Sequence, residues 1–365
     1  MGPYEEALKA VNFESMNYVP VVFWANGQNY APMAGILDNE YYADPAKMLE
    51  AQLHFYELFP GVFTVPGIWP DFGAMAELGG LGCEIEFPVN APPYMRKSVL
   101  KNIWGIDELK LPDPRQAEFT ARVLDYLKYF QQHLPEKMKK EYGFLDGHLF
   151  CGGPGEISAL LLGYDQISYA MYDTPELVHR LLRKVTDFVK SYLQAQMEVV
   201  GPAKRVCIWD HFPGMLPRDL YFKFIHPYLK EIFAFVDRAE IKVYHNENNY
   251  PHLMDLVREI RANICQLGPK HDLVASKKEL GKCVMGNVHP LEILLKGSRE
   301  EIRACCQRII QEAGPGGGLW LSAAGGLAPE TPVENIKIMI EVARETPVPP
   351  GSVSGKIKLI QKGSL

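Results

Sequence analysis

The sequence predicts a single (β/α)8 barrel of the TIM type, with an extended loop insertion between its second and third strands. Three observations predict it. Eight short apolar, β-branched runs alternate with stretches of helical periodicity. No linker or low-complexity stretch divides them, so 1–365 reads as one domain. The GxGxxG turn expected after an early strand of a doubly wound dinucleotide fold is missing. Alternating strand and helix calls for a parallel sheet, because parallel neighbours need crossover connections. Eight such units in one chain favour a closed barrel over an open sheet.

The strand runs fall at 19–24, 62–66, 144–151, 205–210, 241–245, 263–267, 283–288 and 318–322. Helical segments at 45–56, 116–132, 175–199, 217–237, 252–261, 299–312 and 332–345 carry apolar residues three and four apart. Several open on a cap followed by proline, as in Asp44-Pro45, Asp173-Thr174-Pro175 and Thr331-Pro332. Proline suits the first helical turn, where its missing N–H has no partner to lose. Gly314-Pro315 and the three glycines after it stop a helix before the last strand. The interval 67–143, with its GIWPDFGAMAELGGLG text and one helix, reads as the insertion over the barrel mouth.

Composition narrows the function. Apolar and charged fractions of 47% and 22% are those of a soluble protein with a large core. The net charge of −6, with no basic run, speaks against nucleic acid. It suits a small-molecule enzyme or a basic protein partner, and leaves room for a homo-oligomer. No apolar stretch reaches the roughly 18–20 residues that span a bilayer. The start, MGPYEEALKAVNFESMNYVP, lacks a signal-peptide core, so a cytoplasmic location is expected. Seven cysteines without a CxxC pair point to buried, reduced thiols.

A barrel of this type places its chemistry where strands end and βα loops begin. That gives a short set of candidates: Asn26, Asp71, the turn 152–156, Asp210 with His211, His245 with Glu247, Lys270 with His271, Asn287 with His289, and the loop 322–326. Each has a plainer structural reading. Asp210 suits a helix cap, Asp71 a turn, and Asn287 a brace for loop backbone. The Gly152-Gly153-Pro154-Gly155 turn suits an anion cradle or a tight strand-to-helix connection.

Three segments resemble the uroporphyrinogen decarboxylase superfamily, which includes corrinoid-dependent methyltransferases. They are the 286–345 segment beginning GNVHPLEILLKGSREEI, the 152–185 segment beginning GGPGEISALLLGYDQ, and IHPYLKEIFAFVDRAEIKVYHNENNY at 225–250. ALKAVNFESMNYVPV also fits, so the likeness covers nearly the whole chain. It implies a single (β/α)8 barrel. It also implies one of two chemistries: cofactor-free decarboxylation of a polycarboxylate gripped by basic residues, or methyl exchange with a cobalamin-carrying protein. In the second, zinc is held through His-x-Cys and a later Cys.

Departures from the family's patterns choose between them. Where the decarboxylases carry Arg-Gln-Ala-Gly-Arg, this chain reads Ala25-Asn26-Gly27-Gln28-Asn29, with no guanidinium to pair with carboxylates. Their late Gly-His-Gly is Ala324-Gly325-Gly326 here. The methyltransferase His-x-Cys reads His245-Asn246-Glu247, and Gly325 stands where the second Cys belongs. Strand alternation puts His245 and Glu247 on one side, able to share a metal. Imidazole with carboxylate is a harder set than His with two thiolates, and leaves zinc the stronger Lewis acid.

The expectation is therefore a corrinoid-dependent methyltransferase or demethylase. It passes methyl from a small methylated donor, such as a methoxylated aromatic, to the cobalt of a corrinoid-binding partner as methylcobalamin. His245 and Glu247 hold zinc, with Asp210 or Cys265, or His211 beside Asp210 at the end of the fourth strand, as candidates for the third ligand; His245, Glu247 and Asp210 are catalytic. His211, Trp24, Asn26, Asp71, Phe212, Tyr250 and Asn287 line the substrate, with Trp69 among the aromatics near the mouth. Two rivals stand beside it: a metal-independent decarboxylase and a non-catalytic ligand-binding barrel.

Overall fold

The computed structural model describes residues 2–350. Eight parallel barrel strands run β1 Val22–Trp24, β2 Phe63–Val65, β3 His148–Gly152, β4 Arg205–Trp209, β5 Ile241–His245, β6 Ile264–Gln266, β7 Cys283–Val288 and β8 Leu319–Ala323. Each lies within one of the eight expected runs or overlaps it. β3 starts later than expected because positive φ at Gly143, Leu145 and Gly147 turns residues 143–147 into an irregular approach.

Hydrogen bonding orders the strands β8-β7-β6-β5-β4-β3, with β1 paired to β2. Bridges Val21–Leu321 and Trp24–Gly326 join β1 to β8. The result is the (β/α)8 barrel the sequence predicts, running from β2 round to β3 with one seam between those two strands. Side chains cross that seam. Phe63 and Phe144 stack at 6.5 Å, and Trp69 lies 5.0 Å from the His148 ring.

The seam leaves backbone groups of β3 without a neighbouring strand. Gly153 N bonds to Trp209 O of β4, so alternation turns the backbone of Phe150 and Gly152 the other way, toward the seam. Two side chains satisfy them. Gln196 accepts from Phe150 N at 3.0 Å and donates to Phe150 O at 2.8 Å. Glu77 accepts from Gly152 N at 2.9 Å. Buried backbone groups must be paired, and here a helix amide and a carboxylate replace a missing ladder.

Outer helices cover the barrel. The longest, Pro175–Val200, opens on proline and buries Val178, Leu181, Leu182, Val185, Phe188 and Val189 along one face. Strands covered by helices outside and side chains inside are buried on both faces, as all five residues of β3, β4, β5 and β8 are. The insertion after β2 holds the helix Met75–Gly80, an antiparallel hairpin of Glu84–Glu86 with Tyr94–Lys97, and the helix Glu118–His133.

The N-terminal end of the barrel is packed shut. Helix Pro3–Val11 lies across it, with Trp320 Nε1 donating to Ala7 O at 3.0 Å. Arg205 sits among the rings of Phe63, Phe144 and Tyr4 and donates to the carbonyls of Tyr142 and Gly143, each at 3.1 Å. All seven cysteines are free, and six are buried. Among the described residues no helix is long and apolar enough to cross a membrane.

Candidate active site

At the C-terminal end, β4 and β5 deliver their last side chains to one point. Asp210 N donates to His245 O at 3.0 Å, which sets the loop after β4 directly beside the end of β5. His211 then meets His245 edge to face, ring centres 4.9 Å apart. Glu247, two residues beyond His245, returns to the same side. Ligand atoms of His211, His245 and Glu247 all lie within 4.8 Å of one another.

The intervening residues hold this loop. Asn246 Nδ2 donates to Asp210 O at 2.8 Å, and Asn248 Nδ2 donates to His211 O at 2.7 Å. Odd positions thus face the cluster while even ones bind the two loops together. The grouping is graded in exposure: His245 is buried, His211 half-buried and Glu247 open to solvent.

His245 is fixed on two sides. Trp24 stacks on its ring at 3.5 Å and 7°. Its Nδ1 is hydrogen-bonded to Gln266 Oε1. Burial first, then the neighbouring His211, hold its pKa well below the usual imidazole value, with the Gln266 bond opposing them. The ring is therefore neutral at pH 7, the form that binds metals. His211 Nε2 is buried with no hydrogen-bond partner, an orphan atom of the kind that a ligand or ion completes.

Gly325 explains how Glu247 reaches the cluster. Its φ of +105° is glycine territory, and a Cβ there would run into the Glu247 carboxylate, 3.0 Å from Cδ. Glu247 occupies the space that a side chain at 325 would fill.

The other expected residues lie elsewhere. Asp210 is fully buried, and its carboxylate accepts from Glu156 N at 2.5 Å and Gly155 N at 3.4 Å. Burial, then the Glu156 charge, push its pKa well up. It caps the helix Pro154–Leu162 under the Gly153–Gly155 turn, so the connection is a tight one and the carboxylate stays outside the cluster. Cys265 alternates with the inward Gln266, which turns it toward the outer helices, where burial raises its thiol to about 11. Of the three candidates for third ligand, the structure thus seats His211 beside His245 and Glu247, and keeps Asp210 and Cys265 away.

Trp24 adjoins the cluster directly. Asn26 caps the helix Gly27–Met33, accepting from Gln28 N at 3.1 Å. Asp71 holds the amides of Gly27 and Gly73, the latter at 2.8 Å. Phe212 packs edge-on against Tyr164, and its N–H goes to Glu156 at 2.6 Å. Tyr250 donates to Gln266 O at 2.9 Å and packs on Tyr244. Asn287 donates to the carbonyls of Gly268 and His271 at 3.2 and 2.8 Å, bracing that loop. Trp69 faces His148 and Phe150 across the seam. Gln266 and the asparagines 246 and 248 were not expected; amides give no sequence signal for a site, since they are common in any loop or strand.

Comparisons with known proteins agree with this architecture. Residues 3–346 match the model of the family described as uroporphyrinogen decarboxylase (URO-D). The uroporphyrinogen decarboxylase of Carboxydothermus hydrogenoformans is 26% identical over 276 residues, covering 73% of this chain and 75% of the relative. That of Desulfotalea psychrophila is 23% identical over 350 residues, 93% and 97% of the two chains. Among solved structures, a methyltransferase from Methanosarcina mazei superposes with a TM-score of 0.78 at 20% identity, over 94% of this chain and 99% of that one.

Proposed function

The chain belongs to the uroporphyrinogen decarboxylase (URO-D) family, and from that premise we propose that it is a methyltransferase taking methyl from a small methylated donor, its acceptor a corrinoid on a partner protein. One observation carries the reading: the ligand atoms of His211, His245 and Glu247 converge within 4.8 Å at the barrel mouth. Two imidazoles and a carboxylate with one side open make the donor set of a catalytic zinc site, which keeps three protein ligands and a free position. The orphaned Nε2 of His211 and the neutral ring of His245 fit that occupant. A bound zinc-type ion would supply Lewis acidity for a poor leaving group such as an ether oxygen.

The chain's own residues do the rest. Trp24 covers one face of His245 and walls the site with apolar surface, suited to the body of an uncharged donor. Glu247, open to solvent, stands at the side from which donor and partner arrive. The loop after β1 offers no guanidinium; Asp71 holds Gly27 N there instead. A polycarboxylate therefore finds no paired donors on that loop, and decarboxylation is disfavoured.

The test is an assay with purified, zinc-loaded protein, reduced cobalamin and a panel of methylated donors, methoxylated aromatics first. Methylcobalamin should form with at least one donor and vanish with His245→Ala. A protein that takes up no zinc, or forms no methylcobalamin with any donor, overturns the proposal.

A further inference from the structure

Gln266 lies at the end of β6 with its side chain buried between the end of β5 and the loop after β8. Its amide has one orientation available. Nε2 donates to Gly325 O at 2.7 Å and reaches Ala323 O at 3.4 Å. Carbonyls accept only, so the nitrogen of the amide must face them and Oε1 must face the other way. There Oε1 meets His245 Nδ1. An amide oxygen cannot donate, so the proton of a neutral His245 ring sits on Nδ1 and the lone pair on Nε2. Trp24, stacked at 3.5 Å, prevents the ring from turning out of this arrangement.

Resting on the metal reading given above, we propose that Gln266 is the positioning residue of the site: it fixes His245 in the Nδ1–H tautomer and so presents Nε2 to the ion. The same amide grips the carbonyl of Gly325, the glycine whose open space admits Glu247. Gln266 thereby couples the placement of two ligands that come from β5 to the loop after β8.

The experiment uses the full chain, wild type and Gln266→Met, which keeps length and volume but removes both the amide oxygen and the amide nitrogen. Nitrogen-detected NMR of the apoprotein reads the tautomer of His245, and titration with zinc alone reads the affinity. In the wild type the proton should be found on Nδ1. In Gln266→Met that signature should be lost and zinc affinity should fall about 10–100-fold, the scale of outer hydrogen-bond partners of ligating histidines. A wild-type His245 protonated on Nε2, or a Gln266→Met protein that binds zinc within twofold of wild type, overturns the proposal. The wild-type tautomer needs no variant, so the idea stays falsifiable if Gln266→Met does not fold. Wild type taking up no zinc sinks the metal reading itself, and the tautomer result then separates the two failures.

Discussion

His245 shows what a residue-level reading of the sequence reaches and where it stops. Strand alternation was enough to pair it with Glu247, since period-2 geometry is set by the backbone. Choosing His211 over Asp210 and Cys265 as the third member depended on a tertiary fact: the amide of Asp210 bonds to His245 O and carries the next residue into range. Asp210 looked the better ligand from sequence because it ends a strand, yet its oxygens are spent on Gly155 and Glu156 amides. Gly325 was legible as a departure but its purpose was not, because the space it leaves is visible only beside Glu247. A methyl group there tests this. Gly325→Ala should lower stability by about 1–3 kcal/mol through its positive φ, read by urea unfolding. It should also weaken zinc binding about tenfold or more by displacing Glu247. Unchanged zinc affinity would mean that the carboxylate does not need that space.

Among the elements, the seam between β2 and β3 was hidden from the sequence. Periodicity finds strands but not which neighbours fail to pair, and the buried Gln196 and Glu77 look like misplaced polar residues until the β3 backbone is seen. Glu77 has a measurable consequence. Burial lifts its carboxyl from the ordinary 4.5 to about 7, against the pull of the Gly152 amide. The folded protein therefore holds this proton more tightly than the unfolded chain. Its contribution to stability is full below pH 4.5 and is lost as pH rises through about 7. The loss is on the order of 3 kcal/mol at its largest. Glu77→Gln keeps an oxygen for Gly152 N and does not titrate. Urea unfolding from pH 4.5 to 8 should show wild type falling relative to Glu77→Gln across that window. Parallel curves would remove Glu77 as the cause.

Across the whole molecule, the eight-strand count and the family likeness both pointed to the barrel, and the barrel divides its labour by end. The N-terminal end is closed by helix Pro3–Val11 and Arg205, the C-terminal end carries the cluster. Arg205→Met, which strands the carbonyls of Tyr142 and Gly143, should cost about 1–3 kcal/mol of stability and leave zinc affinity unchanged. A loss of zinc binding in that variant would show that the two ends are coupled. The proposed function stands or falls with the cluster being a metal centre without sulfur. X-ray absorption at the zinc edge of the loaded wild-type protein tests it most directly. A shell of nitrogen and oxygen alone at about 2.0–2.1 Å is predicted; a sulfur contribution near about 2.3 Å, or no retained zinc, would contradict it.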